Sequence, residues 1–522
     1  MRAIRRRVVA MAFGVVTVAS VLAGSAAPAH AGLLGSLLNP NPPVKVIVQQ
    51  WNSTDPAPGL LVQLLGGTIT RQLPIVGGFA ATVPTSALAT IANAAGVRVI
   101  SPDSLVLPDE APPADGGPRS VYRSASNVDA AAAAGAAGQG VTVALLDTGI
   151  APVADLAGRV TPVVNDAGVT ATCVNYSTEA GCADNYGHGT FIAGLIAGSG
   201  ASSGGTYQGV APSANLVSVK LSGRDGTSSV SQVLAGIQWV VANRNTYGIK
   251  VMNLSLRVDS QLSYRLDPMN FAVEQAWAEG ITVVVSAGNQ GPNAGTIAKP
   301  GDDPWVLTVG STNDSGTPGL GDDSIVSFSS RGPTLDGVAK PDLVVPGDHL
   351  ISLRSSGSNA DSLFPYFVDG NYRRGSGTSF SAGIVSGSVA AYLSANPTAD
   401  NNRVKFALTG TANPMSGVSA SAQGAGTLDL AASLSAPAGE SNTTLFQPVM
   451  FPLGIPSVTD LLNVVTTGSN WQGSNWQGSN WQGSNWQTFD WQGSNWQGSN
   501  WQGSNWQGSN WQGSNWQSQY WS

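Results

Sequence analysis

A serine hydroxyl, an imidazole and a buried carboxylate can together cleave acyl bonds, and three stretches of this 522-residue chain each supply one member. In R-G-S-G-T-S-F-S-A-G-I-V-S-G (374–387), glycines and small hydroxyl residues lead into an apolar, helix-length run. That run continues to Leu393 and stops at Asn396-Pro397. Ser379 then falls at a helix N-terminus, where unpaired N–H groups and the positive dipole end favour developing negative charge. Such a place suits a nucleophile whose attack creates an oxyanion. It also suits an N-cap serine, the commonest job for Ser at a helix start, and Gly-Thr-Ser alone favours that reading. Of the three histidines, His30 lies in the leader and His349 in a Pro-Gly-Asp-His turn with no partner motif. His188 remains, with glycines on both sides that let other groups approach the ring; a capping or surface histidine is the competing reading. Asp147 ends the run 141–146, which is too apolar to leave a charge unpaired, and it suits the carboxylate that orients the imidazole.

These groups need a scaffold, and residues 121–434 alternate in the way that builds one. Apolar strand runs occur at 141–146, 216–221, 251–256, 281–286 and 305–309, with helical stretches at 190–197, 228–243 and 269–279 between several of them. Continuous apolar strands separated by amphipathic helices predict an α/β fold with a mostly parallel sheet covered on both faces. Chemistry in such sheets gathers at the carboxyl ends of the strands. Asp147 directly follows the first run and Asn289 follows the fourth after Ala-Gly, so both fall where a site is expected.

The set V-A-L-L-D-T-G (143–149), G-H-G-T (187–190) and G-T-S-F-S-A (377–382), in the order Asp, His, Ser, resembles the subtilisin-like serine peptidases. Residues 209–212 (G-V-A-P), 286–289 (S-A-G-N), 328–332 (F-S-S-R-G) and 340–342 (K-P-D) add to the resemblance. It implies a three-layer fold in which Ser379 is the nucleophile, His188 the general base and then acid, and Asp147 the group fixing the imidazole tautomer. Asn289 is implied as the oxyanion donor, acting with the Ser379 backbone N–H. Substrate would add as a strand against 225–230, including Ser228, and against Ser255-Leu256-Arg257, with Gly288 also substrate-binding. The chain departs from the family at Phe380, Ser381 and Gly383, where Met, Ala and Pro are usual, and at Arg257, where glycine is usual. Arg257 is expected to narrow the specificity pocket or favour an acidic residue there, unless its side chain points to solvent. No cofactor is required for this chemistry. Calcium often stabilises the family, but no loop is specific enough to name as its ligand, and no metal site is assigned.

Residues 1–31 read as a secretory signal: a basic start, an apolar stretch at 8–22, then Ala29-His30-Ala31. The protein is therefore expected to be extracellular, with retention at the cell wall through its tail as a further option. Setting aside the four leader arginines lowers the formal charge from −7 to −11, and no basic patch survives that would neutralise nucleic-acid phosphates. Cys173 and Cys182 are the only cysteines, and in an exported chain they are expected to form a disulfide. Residues 32–120 comprise a small unit and a linker. Strands are predicted at 44–49, 60–65 and 97–100, with a short helix at 84–95. Through G-F-A-A (78–81) and G-V-R-V-I (96–100) this unit resembles the family's inhibitory propeptide, so the chain's own segment is expected to block the cleft. The Pro- and Asp-rich joint 108–119 reads as exposed, with the cut between about 107 and 121. Residues 435–467 read as a linker. From 468 the unit G-S-N-W-Q repeats, placing tryptophan every five residues from Trp471 to Trp521. A flexible extension, a surface that stacks on wall or extracellular glycan or on itself, and a pentapeptide solenoid are the options, ranked in that order. Protein or peptide substrates are the expected partners.

Overall fold

The computed structural model describes residues 41–111, 117–258, 260 and 262–442; the leader and the tryptophan repeat lie outside them. The chain opens with an antiparallel sheet of four strands: β1 (Pro43–Gln50), β2 (Thr68–Leu73), β3 (Gly78–Pro84) and β4 (Val97–Pro102), in the order β2-β3-β1-β4. Helices α1 (Ala57–Leu64) and α2 (Leu88–Ala92) complete this unit. Its core gathers Val46, Val48, Val62, Phe79, Leu88 and Ile91. The strand expected at 60–65 is instead the C-terminal part of α1. Pro58 and Val62, four apart, are buried while Leu60 and Leu64 are exposed, so the apolar residues follow a helical period rather than a strand's.

The main unit carries an eight-stranded sheet. At its centre run β6 (Thr142–Asp147), β7 (Asn215–Lys220), β9 (Ile249–Leu254), β11 (Thr282–Ser286) and β12 (Leu307–Asn313). Their order is β12-β11-β9-β6-β7, and every one of these pairings is parallel. Four helices cover the sheet: α3 (His188–Ala197), α4 (Val230–Tyr247), α5 (Pro268–Ala278) and α6 (Thr378–Ala395). Alternate residues of β6 serve opposite faces. Val143 and Leu145 join a core with α3 and α6, while Ala144 and Leu146 join a second core with α4 and α5. A strand buried on both sides must be apolar throughout, which is why 141–146 shows no polar alternation. Neighbours β7 and β9 lie on either side of β6, so a crevice opens at its carboxyl end, directly at Asp147.

Between the two units, β5 (Leu105–Pro108) lies as the middle strand of a three-stranded antiparallel ribbon. Its neighbours are β8 (Ser228–Ser229) and β10 (Leu256–Val258). The joint expected to be exposed is therefore buried where it begins: Asp109 is 1% exposed, and the Ala111 N–H donates to the Ser376 carbonyl at 2.8 Å. Serines 228 and 229 are strand rather than the start of α4. Residues 436–442, the start of the stretch read as a linker, are hydrogen-bonded to the main unit. The Arg403 side chain donates to the carbonyls of Ala436 at 2.7 Å and of Pro437, and Asn442 Nδ2 donates to the Trp305 carbonyl at 3.0 Å. Cys173 and Cys182 form a disulfide just upstream of α3. Among the described residues no helix is long and apolar enough to cross a membrane.

Candidate active site

Asp147 is the last residue of β6 and His188 the first of α3. The His188 Nδ1–H donates to Asp147 Oδ1 at 2.8 Å and lies 3.0 Å from Oδ2, both side chains being buried. Two features fix this meeting. The Asp184 carboxylate gathers the start of α3, accepting from the N–H groups of Gly187 and Thr190 and from the hydroxyls of Thr190 and Thr148. Gly189 is the second: a Cβ there would lie 2.2 Å from the Gly149 carbonyl oxygen and 3.1 Å from Asp147 Oδ1, so any other residue would push helix and strand apart. Burial works against a charged His188 ring, but Asp147 and then Glu110 outweigh it and hold the imidazole above its ordinary pKa. With Nδ1–H turned to Asp147, His188 Nε2 is the open acceptor; it has no hydrogen-bond partner among the described residues.

Ser379 is the second residue of α6, whose cap is Gly377, so it is not the N-cap that Gly-Thr-Ser alone favoured. A line of hydrogen bonds ties its backbone to the sheet. Ser255 Oγ donates to the Ser379 carbonyl at 2.8 Å and accepts from Asn253 Nδ2 at 2.9 Å, while Asn253 Oδ1 accepts from Ser386 Oγ at 2.8 Å. Phe380 packs on Phe191 with 4.2 Å between ring centroids and lies 5.4 Å from the His188 ring. Gly383 lets the two helices close up, since a Cβ would meet Ile192 at 3.0 Å. Ser381 shares a hydrogen bond with Ser311 at 2.7 Å. These three departures, all in α6, thus serve its packing, Phe380 and Gly383 against α3 and Ser381 against β12.

The site is occupied by the chain itself. In the ribbon, Leu105 and Val106 stand opposite Ser229 and Ser228, while Val106, Leu107 and Pro108 stand opposite Val258, Arg257 and Leu256. That register delivers the Asp109 carbonyl oxygen to the site. Ser379 Oγ donates to it at 2.6 Å, and Asn289 Nδ2 donates to it at 2.7 Å. The Asn289 amide is held in this orientation because its Oδ1 accepts from the backbone N–H and hydroxyl of Thr378, at 3.0 and 2.9 Å. A Cβ on Gly377 would stand 2.7 Å from the same carbonyl oxygen, and its φ of +155° also favours glycine. The Asp109 side chain receives Ser286 Oγ at 3.2 Å and faces Arg257 Nε at 3.7 Å. Burial pushes its carboxyl up to about 6, against the opposing influence of Arg257, Ser286, His188 and an Asn289 hydrogen bond. On the other side of the bond, Glu110 Oε1 meets Arg373 Nη1 at 2.6 Å, and both side chains are buried.

Asp147 meets His188, while Ser379, Asn289 and the 255–257 stretch meet around Asp109; Ser379 Oγ is turned to the Asp109 carbonyl, and among the described residues no hydrogen bond joins it to His188 Nε2. Ser228 contributes backbone, its hydroxyl turning away to the Leu221 carbonyl at 3.0 Å. Gly288 is beside the site but directed elsewhere: its N–H donates to Thr378 Oγ1 at 3.2 Å and its carbonyl accepts from Ser330 N–H. Four residues escaped sequence reasoning. Ser286 stood in a quoted motif, S-A-G-N, without a role. Asp109 and Glu110 were lost in an acidic joint, and Arg373 in a charged pair before the serine motif carries no periodic signal. Among the described residues no group of three or more His, Cys, Asp or Glu side chains is placed to hold a metal ion.

A family model described as the subtilase family matches residues 138–426, more than half of the chain. The chain belongs to the subtilase family. It is 43% identical over 275 residues to serine protease AprX of Bacillus subtilis, a match covering 51% of this subtilase and 60% of AprX. It is 33% identical over 281 residues to subtilisin Savinase of Lederbergia lenta, covering 54% of this chain and 86% of Savinase. Among solved structures, fervidolysin from Fervidobacterium pennivorans, a keratinolytic enzyme related to subtilisin, matches with a TM-score of 0.58 and 25% identity. That match covers 76% of this chain and 61% of fervidolysin's. This subtilase thus spans about three fifths of the length of AprX and of fervidolysin.

Proposed function

We propose that this subtilase is an exported serine endopeptidase, held inactive by its own N-terminal unit and matured when that unit is cut away. The observation that carries the reading is the Asp109 carbonyl oxygen lying between Ser379 Oγ and Asn289 Nδ2, beside an imidazole already hydrogen-bonded to Asp147. Ser379 Oγ would bond to the carbonyl carbon as its proton passes to His188 Nε2, the open acceptor. The electron pair of the C=O bond moves onto oxygen, where Asn289 Nδ2 and the Ser379 N–H receive it. Collapse breaks the C–N bond, and the leaving amine takes the proton from His188. Water then cleaves the resulting ester by the same route in reverse, freeing Ser379. Asp147 keeps the ring in the tautomer that accepts and stabilises the imidazolium between the two transfers.

Inhibition follows from the same arrangement. As middle strand of the ribbon, β5 fills the place where an extended substrate would add, and Asp103 ties it down by accepting from the N–H and hydroxyl of Ser231 at the start of α4. The leader 1–31 supports export. The tryptophan repeat supports a wall- or glycan-directed extension, outside the described residues. Labelling with an active-site-directed fluorophosphonate tests the catalytic reading. The processed protein should take up one label at Ser379 and digest casein, and Ser379→Ala should do neither and stay at precursor size. Unlabelled, processed protein would leave the fold as a carrier for its repeat instead.

A further inference from the structure

Resting on the endopeptidase reading, we propose that the cleft selects a pair of adjacent acidic residues flanking the cleaved bond, and that the first bond cut is Asp109–Glu110. Register alone identifies the bond. The segment is clamped upstream by β8 and β10 and downstream by the Ala111–Ser376 bridge, so Asp109–Glu110 is the peptide bond held over Ser379. A slip of one residue would reverse every side chain in the ribbon and take Val106, 2% exposed, out of the core.

The side chains on either side of that bond each meet a cation. Upstream, the Asp109 carboxylate enters a recess offering the Ser286 hydroxyl and the Arg257 guanidinium, where an apolar slot would present neither. Arg257 stands where the family usually has glycine, and its side chain faces the carboxylate while remaining 23% exposed. Downstream, the Glu110 carboxylate meets Arg373, whose side chain is fully buried. The Arg373 guanidinium lies 4.7 Å from the Phe191 ring centroid, and its Nε and Nη2 have no hydrogen-bond partner among the described residues. Among those residues Glu110 is its one ion-pair partner. Breaking a buried pair by removing one partner strands the other charge, whereas a partly exposed one can turn to water. Discrimination should accordingly be stronger for the downstream glutamate, read by Arg373, than for the upstream aspartate, read by Arg257. Chemically the cut is the acyl transfer already described. Ser379 Oγ bonds to the Asp109 carbonyl carbon, the bond to the Glu110 nitrogen breaks, and that nitrogen leaves as an amine carrying the proton from His188. Water then releases Asp109 as a new C-terminal carboxylate.

The test uses the full-length chain. The released N-terminal fragment is weighed by mass spectrometry, and the processed enzyme is labelled with a fluorophosphonate and assayed on quenched peptides built on Leu-Val-Leu-Pro-Asp-Glu-Ala. A fragment ending at Asp109 is expected. Replacing Glu by Ala should lower kcat/KM by about 100-fold or more, and Asp by Phe by about 10-fold. Arg257→Gly should erase the Asp-over-Phe ratio, a comparison internal to one preparation. Labelled enzyme that releases a fragment with another end, or prefers Phe to Asp and ignores the Glu-to-Ala change, overturns the proposal while leaving the endopeptidase standing. Protein that neither takes up label nor cuts any peptide overturns both.

Discussion

Asn289→Ala removes the side-chain donor whose bond to the carbonyl oxygen is proposed to strengthen in the transition state. Its Nδ2 has the Asp109 carbonyl oxygen at 2.7 Å, and the amide cannot flip to offer oxygen instead, because Oδ1 is held by both donors of Thr378. Against a neutral carbonyl such a bond contributes roughly 1 kcal/mol net. Against the oxyanion the donor is worth more: removing one of this kind in a subtilisin costs about 2.7–4 kcal/mol in kcat itself. Such a loss falls on kcat, as about 100- to 1,000-fold, with little change in KM. Single-turnover conversion of precursor to processed form, followed by gel, reads the step without product release, and steady-state kcat and KM on a peptide read it in the mature enzyme. Thr378→Val keeps one of the two anchoring bonds and should cost far less, about 5-fold, by loosening the amide rather than deleting it. A kcat within 3-fold of wild type for Asn289→Ala, or a loss confined to KM, would refute the assignment.

Two other perturbations probe parts of the same machinery. His188 is held above the ordinary imidazole value despite its burial, by Asp147 and then Glu110, and it accepts a proton only when neutral, so self-cleavage should fail as pH drops through that raised value. Glu110→Gln removes one raising charge and leaves Arg373 opposing it, so the acid limb of the processing rate should move to lower pH; a limb that stays put or moves alkaline would exclude Glu110 from acting on the ring. Replacing Cys173 and Cys182 together by serine reopens a loop of about ten residues and should lower stability by about 2.7 kcal/mol in the chain-entropy picture. Urea unfolding of a Ser379→Ala background measures this free of self-digestion, and a change under about 0.5 kcal/mol would contradict it.

Periodicity carried the scaffold well wherever a segment is buried on both faces. Every residue from 142 to 147 is buried, so the apolar run could only be an inner strand, and its end marked Asp147. Where one face is wet the reading was weaker. Residues 60–65 look like an apolar run until Pro58 and Val62 are seen to be the buried pair, and that depends on the sheet they pack against. The motif Gly-Thr-Ser favoured Ser379 as the cap of α6, because serine is common there; the chain path instead puts Gly377 at the cap and Ser379 inside the helix.

By itself the sequence singled out the candidate groups: a serine, a histidine, an aspartate and an asparagine, each beside small residues that leave room around it. It could not determine what those groups face. That Asp109 rather than any other residue of an acidic joint meets Ser379, and that Arg257 and Arg373 flank the bond, depends on the register of a strand inserted between two others 120 or more residues further along the chain. Local composition fixes which atoms can react. Which bond they meet is a matter of non-local hydrogen-bond pairing, and only the folded chain sets that register.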